Sequence, residues 1–295
     1  QLNVARFDTI KHNAYSLWGD AKLGIEKLDE QLDNWAASKD WFQESEIEAS
    51  NWNDYYEDIT SINNPSDKAD DLPTDAQVLG EVKRNGEASD IVVCAAGSLP
   101  GELHKLWRTE QIGGYHSEYG FSCMGYEIAG GLGVKMAQPD REVIVLVGDG
   151  SYLMLNSELA TSVMLGQKII AVVLDNRGFS CINRLQNATG NRSFNNLLKD
   201  CNTADDGHPE INFALHAKSL GAHSEHVEDI TELAAALKRA RASSKSYVIS
   251  IVTDSHKISP EGGCWWEVAV PQVSSNEKGD EVLSAYKKSK TNQPY

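Results

Sequence analysis

Val143-Ile-Val-Leu-Val-Gly-Asp-Gly-Ser151 and Ile169-Ile-Ala-Val-Val-Leu-Asp-Asn-Arg-Gly178 decide how this chain is read. Each is an unbroken, largely β-branched apolar run that stops at a turn bearing glycine and aspartate. Such runs mark strands buried on both faces. Between them Leu153–Leu165 reads as a helix. Working upstream, Ser122–Ala137 reads as a helix of small residues, preceded by a Gly- and Tyr-rich stretch to Gly120. Pro100–Arg108 and Ala76–Asn85 read as helices around a buried strand, Ile91–Ala95, that ends at Gly97. Downstream, an irregular stretch to Glu210 precedes a helix at Asn212–Leu220 and a short strand near Ala222–His226. A helix at Ile230–Ala242 and a strand at Tyr247–Val252 follow. Apolar strands alternating with helices predict an α/β fold with a doubly wound parallel sheet. Ligands in such folds bind beyond the carboxyl ends of the strands.

The two quoted ends fit that placement. Adjacent parallel strands would set Asp149 and Asn176 side by side at one sheet edge. An Asp carboxylate, an Asn amide oxygen and the Gly178 carbonyl are hard oxygen donors, the kind Mg²⁺ takes alongside water and diphosphate oxygens. Gly148 and Gly150 let the backbone approach phosphate, and the helix after Ser151 offers free N–H groups to an anion.

Gly148-Asp149-Gly150, then 25 residues, then Asn176 resembles the thiamine diphosphate (ThDP) motif of the ThDP-dependent enzymes. The resemblance implies that Asp149, Asn176 and the Gly178 carbonyl hold Mg²⁺, and that Gly150 and Ser151 touch the diphosphate. It places Gly97-Ser98-Leu99, which follows its own buried strand, on the other side of the diphosphate. Gly120-Phe-Ser-Cys-Met-Gly-Tyr-Glu-Ile-Ala-Gly-Gly-Leu-Gly133 resembles the stretch of acetolactate synthase relatives in which a bulky residue wedges under the thiazolium ring. Met124 matches that wedge, and the Ser122 carbonyl would face the aminopyrimidine.

Gly114-Tyr-His-Ser-Glu-Tyr-Gly120, Gly178-Phe-Ser-Cys-Ile-Asn183 and Trp265-Trp-Glu-Val-Ala-Val-Pro271 narrow the resemblance. They are similar to the ThDP-dependent trihydroxycyclohexane-1,2-dione hydrolases of myo-inositol catabolism, in the acetolactate synthase-like superfamily. Those enzymes open the ring of a cyclic polyol-derived diketone by C–C cleavage to 5-deoxyglucuronate. Asn3-Val-Ala-Arg-Phe-Asp8 and Gly19-Asp-Ala-Lys-Leu23 resemble the end of that family's middle domain. The resemblance implies the following organisation: residues 1–40 as the remnant of a middle domain and 41–75 as a linker, partly helical at Gln43–Ile59. Residues 76–258 would form the diphosphate-binding domain and 259–295 a tail. Asp20 is a helix cap for Asp20–Leu32, whose Leu23, Ile25, Leu28 and Leu32 fall near helical spacing.

The chain starts at Gln1 and its first methionine is Met124. An upstream part is therefore expected, either in the same protein or as a second chain, carrying the pyrimidine-binding domain and its activating glutamate. The family also implies a homodimer or homotetramer with shared sites. His116, just ahead of Met124, is a candidate general acid–base for a polyhydroxylated ring, against a purely structural role. Glu261–Glu267 reads as apolar packing or a lid. Other readings are a different acetolactate synthase or 2-keto acid decarboxylase type of ThDP enzyme, a small diphosphate-domain subunit, or a non-catalytic binding module.

Composition excludes other classes. With 43 acidic against 27 basic residues, the net charge of −16 opposes binding to phosphate backbones. No apolar run approaches membrane length, and no signal peptide is evident. Five scattered cysteines lack any CxxC pair, so no disulfide framework is expected and a reducing cytoplasm is. Gly131-Leu-Gly133 lacks the third glycine of a dinucleotide fingerprint, and His116-Ser-Glu118 has no PCxxC to complete a zinc site.

Overall fold

The computed structural model describes residues 1–5, 9, 13–62, 72–200, 210–259 and 267–292. Arg6-Phe-Asp8, most of the polar stretch 61–73 and residues 261–266 of the lid-or-packing segment lie outside them. Two compact units are present, Gln1–Tyr55 and Tyr56–Tyr295.

In the first unit β1 (Leu2–Asn3) pairs in parallel with β2 (Leu17–Trp18), and helix α1 covers Ala21–Leu32. Asp20 caps α1 by accepting from the Leu23 N–H at 3.1 Å. Leu23, Ile25, Leu28 and Leu32 are all exposed. Helix α2 runs from Lys39 to Thr60, 22 residues that take in the helical part expected at Gln43–Ile59; its residues from Tyr56 onward fall in the second unit. Tyr56 and Thr60 are buried there, and the Arg108 guanidinium lies 3.9 Å over the Tyr56 ring.

The second unit continues through α3 (Asp75–Arg84), β3 (Ile91–Cys94), α4 (Ser98–Leu106), β4 (Tyr115–Ser117), α5 (Tyr126–Ala137), β5 (Val143–Gly148), α6 (Asp149–Met154) and α7 (Glu158–Met164). Then come β6 (Ile170–Asp175), α8 (Ser180–Ala188), α9 (Phe213–Ser219), β7 (His223–Val227), α10 (Leu233–Ala242), β8 (Tyr247–Val252) and α11 (Gly279–Thr291). The six strands β3–β8 form one parallel sheet in the order β4-β3-β5-β6-β8-β7. Successive side chains leave a strand on opposite faces, and the core divides accordingly. Val92, Ile144, Leu146, Val172 and Ile249 meet α3, α4 and α10 through Leu79, Leu103 and Leu237. Val93, Val145, Val147 and Val173 meet α5, α6, α7 and α9 through Ile128, Tyr152, Leu159 and Phe213. Both faces are covered, as the apolar runs required.

Several boundaries differ from the sequence reading, each for a local reason. β4 lies inside the Gly- and Tyr-rich stretch. A three-residue edge strand with Tyr, His and Ser carries no apolar run to announce it. α5 starts at Tyr126 rather than Ser122, because Ser122 (φ 51°) and Gly125 (φ 89°) are left-handed and break the helix. The single helix expected over Leu153–Leu165 is two, α6 and α7, parted where Leu155 turns extended and Asn156 Nδ2 donates to the Tyr152 carbonyl at 3.1 Å. Such side-chain bonding competes with the helical ladder. α8 occupies part of the stretch read as irregular, and α11 part of the tail.

Candidate active site

β5 and β6 are neighbours, with Gly148 opposite Leu174. Their carboxyl ends therefore deliver Asp149 and Asn176 together. The Gly178 N–H donates to Asp149 Oδ2 at 2.7 Å, joining the two turns directly. One terminal atom of the Asn176 amide lies 3.3 Å from Asp149 Oδ1, 2.7 Å from the Gly178 carbonyl oxygen and 2.8 Å from Ser180 Oγ. As NH₂ it donates to all three. As oxygen it completes, with the carboxylate and the carbonyl, a set of three hard donors that a divalent cation would hold together.

The electrostatics point the same way. Burial pushes the Asp149 carboxyl up to about 7, and the neighbouring Asp175 carboxylate adds to this against N–H donation from Gly150 and Gly178. Burial likewise raises Asp175, with Arg177 opposing. The two carboxylates stand at the ends of adjacent strands; the Arg177 guanidinium, 3.5 Å away, offsets Asp175, while N–H donors are what oppose the rise at Asp149. The chemistry of the residues present fits a metal-bound diphosphate.

Gly178 is held tightly. Phe179 N–H donates to the Asn196 carbonyl at 2.7 Å, and Leu198 N–H to the Arg177 carbonyl at 2.9 Å. A Cβ on Gly178 would stand 2.5 Å from the Asn196 carbonyl oxygen, and its φ of 135° is itself a glycine conformation.

A cavity of about 330 Å³ opens over these turns. Gly97, Ser98, Leu99, Ser122, Met124, Gly148, Asp149, Gly150, Ser151, Asn176 and Gly178 all line it. The eleven residues expected to meet the cofactor thus share one pocket of ligand-binding size. Gly97 (φ 85°) caps α4 without a side-chain bond, leaving backbone N–H groups free at that rim. The wall also includes Tyr119, in the loop after β4, and Phe179, Cys181, Ile182 and Leu185, at or on the helix α8 that the sequence reading did not foresee.

The loop before α5 is set by two acids. Glu118 accepts from the Phe121 N–H at 3.1 Å and the Cys123 N–H at 2.7 Å, and these donors hold its carboxyl below the usual range. They flank Ser122, which sits in the left-handed region that a non-glycine residue adopts only when its surroundings impose it. Glu127, 1% exposed, faces Ala96, Gly125 and Ser151, and burial raises its carboxyl against those donors.

His116 does not join the pocket. It alternates with Tyr115 and Ser117 along β4, so its ring leaves on the face opposite theirs. Its Nε2 lies 2.6 Å from Tyr126 Oη, its ring stacks on that tyrosine, and it lines a separate groove with Arg141 and Gln138. The acid–base role expected for it finds no support in this chain, where its polar partner is Tyr126 Oη. Among the described residues no group of three His, Cys, Asp or Glu side chains could hold a metal. The candidate set instead joins one carboxylate to an amide and a carbonyl.

The family described as "Thiamine pyrophosphate enzyme, C-terminal TPP binding domain" matches residues 95–251, more than half of the chain. The chain belongs to this family. The fold and the sheet described above are those of a TPP-binding enzyme domain. Curated relatives named 3D-(3,5/4)-trihydroxycyclohexane-1,2-dione hydrolase are similar along nearly all of it. One from Bacillus licheniformis is 36% identical over 97% of this chain and 47% of its own length. One from Clostridium tetani is 35% identical over 94% and 47%, and one from Bacillus subtilis 33% over 97% and 47%. The chain spans about half the length of the curated relatives it matches. Among solved structures, the Rhodococcus jostii RHA1 thiamine diphosphate-dependent 4-hydroxybenzoylformate decarboxylase superposes with a TM-score of 0.54 at 20% identity. It covers 64% of this chain and 34% of that one, a likeness of fold alone.

Proposed function

We propose that this TPP-binding domain is the diphosphate-holding portion of a ThDP- and Mg²⁺-dependent hydrolase that opens the ring of 3D-(3,5/4)-trihydroxycyclohexane-1,2-dione. The observation that carries the reading is the convergence of Asp149, Asn176 and the Gly178 carbonyl at the floor of one cavity. The substrate comes from the name borne by relatives that align along nearly the whole chain.

When bound, thiamine diphosphate supplies a nucleophilic thiazolium carbon and an electron sink for C–C cleavage. This chain's residues do the holding. Asp149, Asn176 and the Gly178 carbonyl would bind Mg²⁺. Gly97, Ser98 and Leu99 on one side, and Gly148, Gly150 and Ser151 on the other, would meet the diphosphate. Met124 would support the thiazolium ring, and Ser122 would present its carbonyl to the aminopyrimidine. The apolar side chains of Ile182 and Leu185 would exclude water above it. The group that activates the pyrimidine, and the rest of the substrate site, would come from the remainder of the protein or a second chain within a homodimer or homotetramer. The free thiols of Cys94, Cys123 and Cys181 suit a reducing cytoplasm, and among the described residues no helix is long and apolar enough to cross a membrane.

Isothermal titration of the 295-residue chain with ThDP, with and without Mg²⁺, tests the cofactor reading. Binding that requires the metal supports it, and no binding at millimolar ThDP sinks it. Ring opening of the dione, assayed by product mass after supplying the missing portion, tests the substrate. Turnover of 2-keto acids in its place would refute that assignment.

A further inference from the structure

Glu127 is a buried carboxylate to which the cofactor reading gives no task. Its Oε1 accepts from the Ala96 N–H at 3.3 Å, and its Oε2 from the Gly125 N–H at 3.1 Å. Ser151 Oγ lies 2.8 and 2.7 Å from the two carboxylate oxygens and donates its single proton there. The same hydroxyl oxygen accepts from the Gly125 N–H at 2.8 Å.

Those three partners come from three separate segments of the pocket. Ala96 precedes Gly97-Ser98-Leu99 at the end of β3. Gly125 follows Met124. Ser151 follows Gly148-Asp149-Gly150. A carboxylate is suited to the position because it only accepts, with lone pairs enough for several donors. A glutamine would turn an NH₂ toward a backbone N–H. Because the hydroxyl proton of Ser151 is already used, Ser151 has only its backbone N–H to give an anion in the cavity.

We infer that Glu127 is a positioning residue that ties the Met124 wedge to both rims of the diphosphate cradle, acting through Ser151 and the Gly125 and Ala96 amides. The inference rests on the proposed ThDP site and assigns Ser151 a part in the tie, through its hydroxyl, rather than a hydroxyl bond to diphosphate. Its consequence is selective. Losing the tie lets wedge and cradle shift relative to each other. A ligand that spans both suffers more than one that fills only the cradle.

Glu127→Gln, Ser151→Ala and the double variant of the full chain are titrated in Mg²⁺ with ThDP and, separately, with inorganic pyrophosphate. ThDP binding is expected to weaken about tenfold in each single variant and no more than about threefold further in the double, because the two residues act as one unit. Pyrophosphate affinity is expected to fall clearly less than ThDP affinity in every variant, since pyrophosphate reaches the cradle and not the wedge. Multiplying losses in the double variant would overturn the inference by showing that the Ser151 hydroxyl meets the diphosphate itself. Unchanged ThDP affinity, or parallel loss of both ligands, would overturn it by leaving Glu127 a merely structural role. Thermal unfolding without ligand checks that each variant is folded. Should Glu127→Gln fail to fold, the ThDP-to-pyrophosphate ratio in Ser151→Ala decides alone. A wild-type chain that binds neither ligand overturns this inference together with the cofactor reading. Wild-type binding of both with indifferent variants overturns this inference only.

Discussion

The Asn176 amide separates the proposed cofactor site from an ordinary turn. An aspartate at a strand end is commonplace, whereas an amide beside a carboxylate and a carbonyl turns its oxygen toward them around a cation and its NH₂ toward them without one. Asp149→Asn or Asn176→Ala is expected to cut Mg²⁺-dependent ThDP affinity by about a hundredfold, measured by titration, while the metal-independent component is unmoved. Glu118→Gln removes the carboxylate that clamps Phe121 and Cys123 around left-handed Ser122. ThDP affinity should fall several-fold, with only a small drop in melting temperature because the two bonds lost lie in an exposed loop. Retention of full affinity would show that the loop needs no clamp. The eleven pocket residues were legible because each follows a buried strand or a motif at fixed spacing, and strand ends of a parallel sheet meet. The roles of Glu118 and Glu127 were not, because their partners are defined by how loops close in space. The ring direction of His116 was not legible either, because it depends on which residues of an unannounced edge strand pair with β3.

Among the elements, α5 illustrates how closely a helix can seat on a sheet. A Cβ on Gly131 would stand 2.3 Å from Val145 Cγ2, a fully buried side chain of β5. Gly131→Ala gains about 1 kcal/mol of helix propensity but meets an overpacking cost of about 1–3 kcal/mol or more. The steric term wins, and the variant should unfold at lower urea than wild type. α3 begins with a capping box in which Gln77 N–H donates to Thr74 Oγ1 and Thr74 N–H to Gln77 Oε1, at 3.2 and 2.9 Å. Thr74→Ala should cost about 1 kcal/mol, read from the same urea curves. The central strands were plain in the sequence since burial on both faces leaves continuous apolar runs. The elements missed, β4, α8 and α11, are exposed or mixed in composition, and tertiary contact rather than local pattern decides them.

At the scale of the whole molecule, acidity is stored inside as well as outside. Burial raises Asp75 to about 6, with Glu102 adding and Thr253, Arg184 and Ser98 opposing. The folded chain therefore holds this proton more tightly than the unfolded chain does. Below about pH 4 both forms are protonated and nothing is lost, and as pH climbs from about 4 to about 6 stability falls, by about 3 kcal/mol at most. Glu118, Glu225 and Asp229 are shifted downward, so their opposite contribution is complete by about pH 5. The ligand-free chain should be less stable to urea at pH 7.5 than at pH 5, and Asp75→Asn should flatten part of that slope. An unchanged slope would mean that Asp75 ionises freely in the folded state. The order of the sheet carries a different consequence, for how the chain is made. β8 lies between β6 and β7, joining Ile170 to Tyr247 on one side and His223 to Tyr247 on the other, yet it leaves the ribosome after both. Until residues 247–252 emerge, the apolar β6 has an open flank and β7 has no neighbour in the sheet. The nascent chain must shield that flank from itself and from other chains until β8 has emerged.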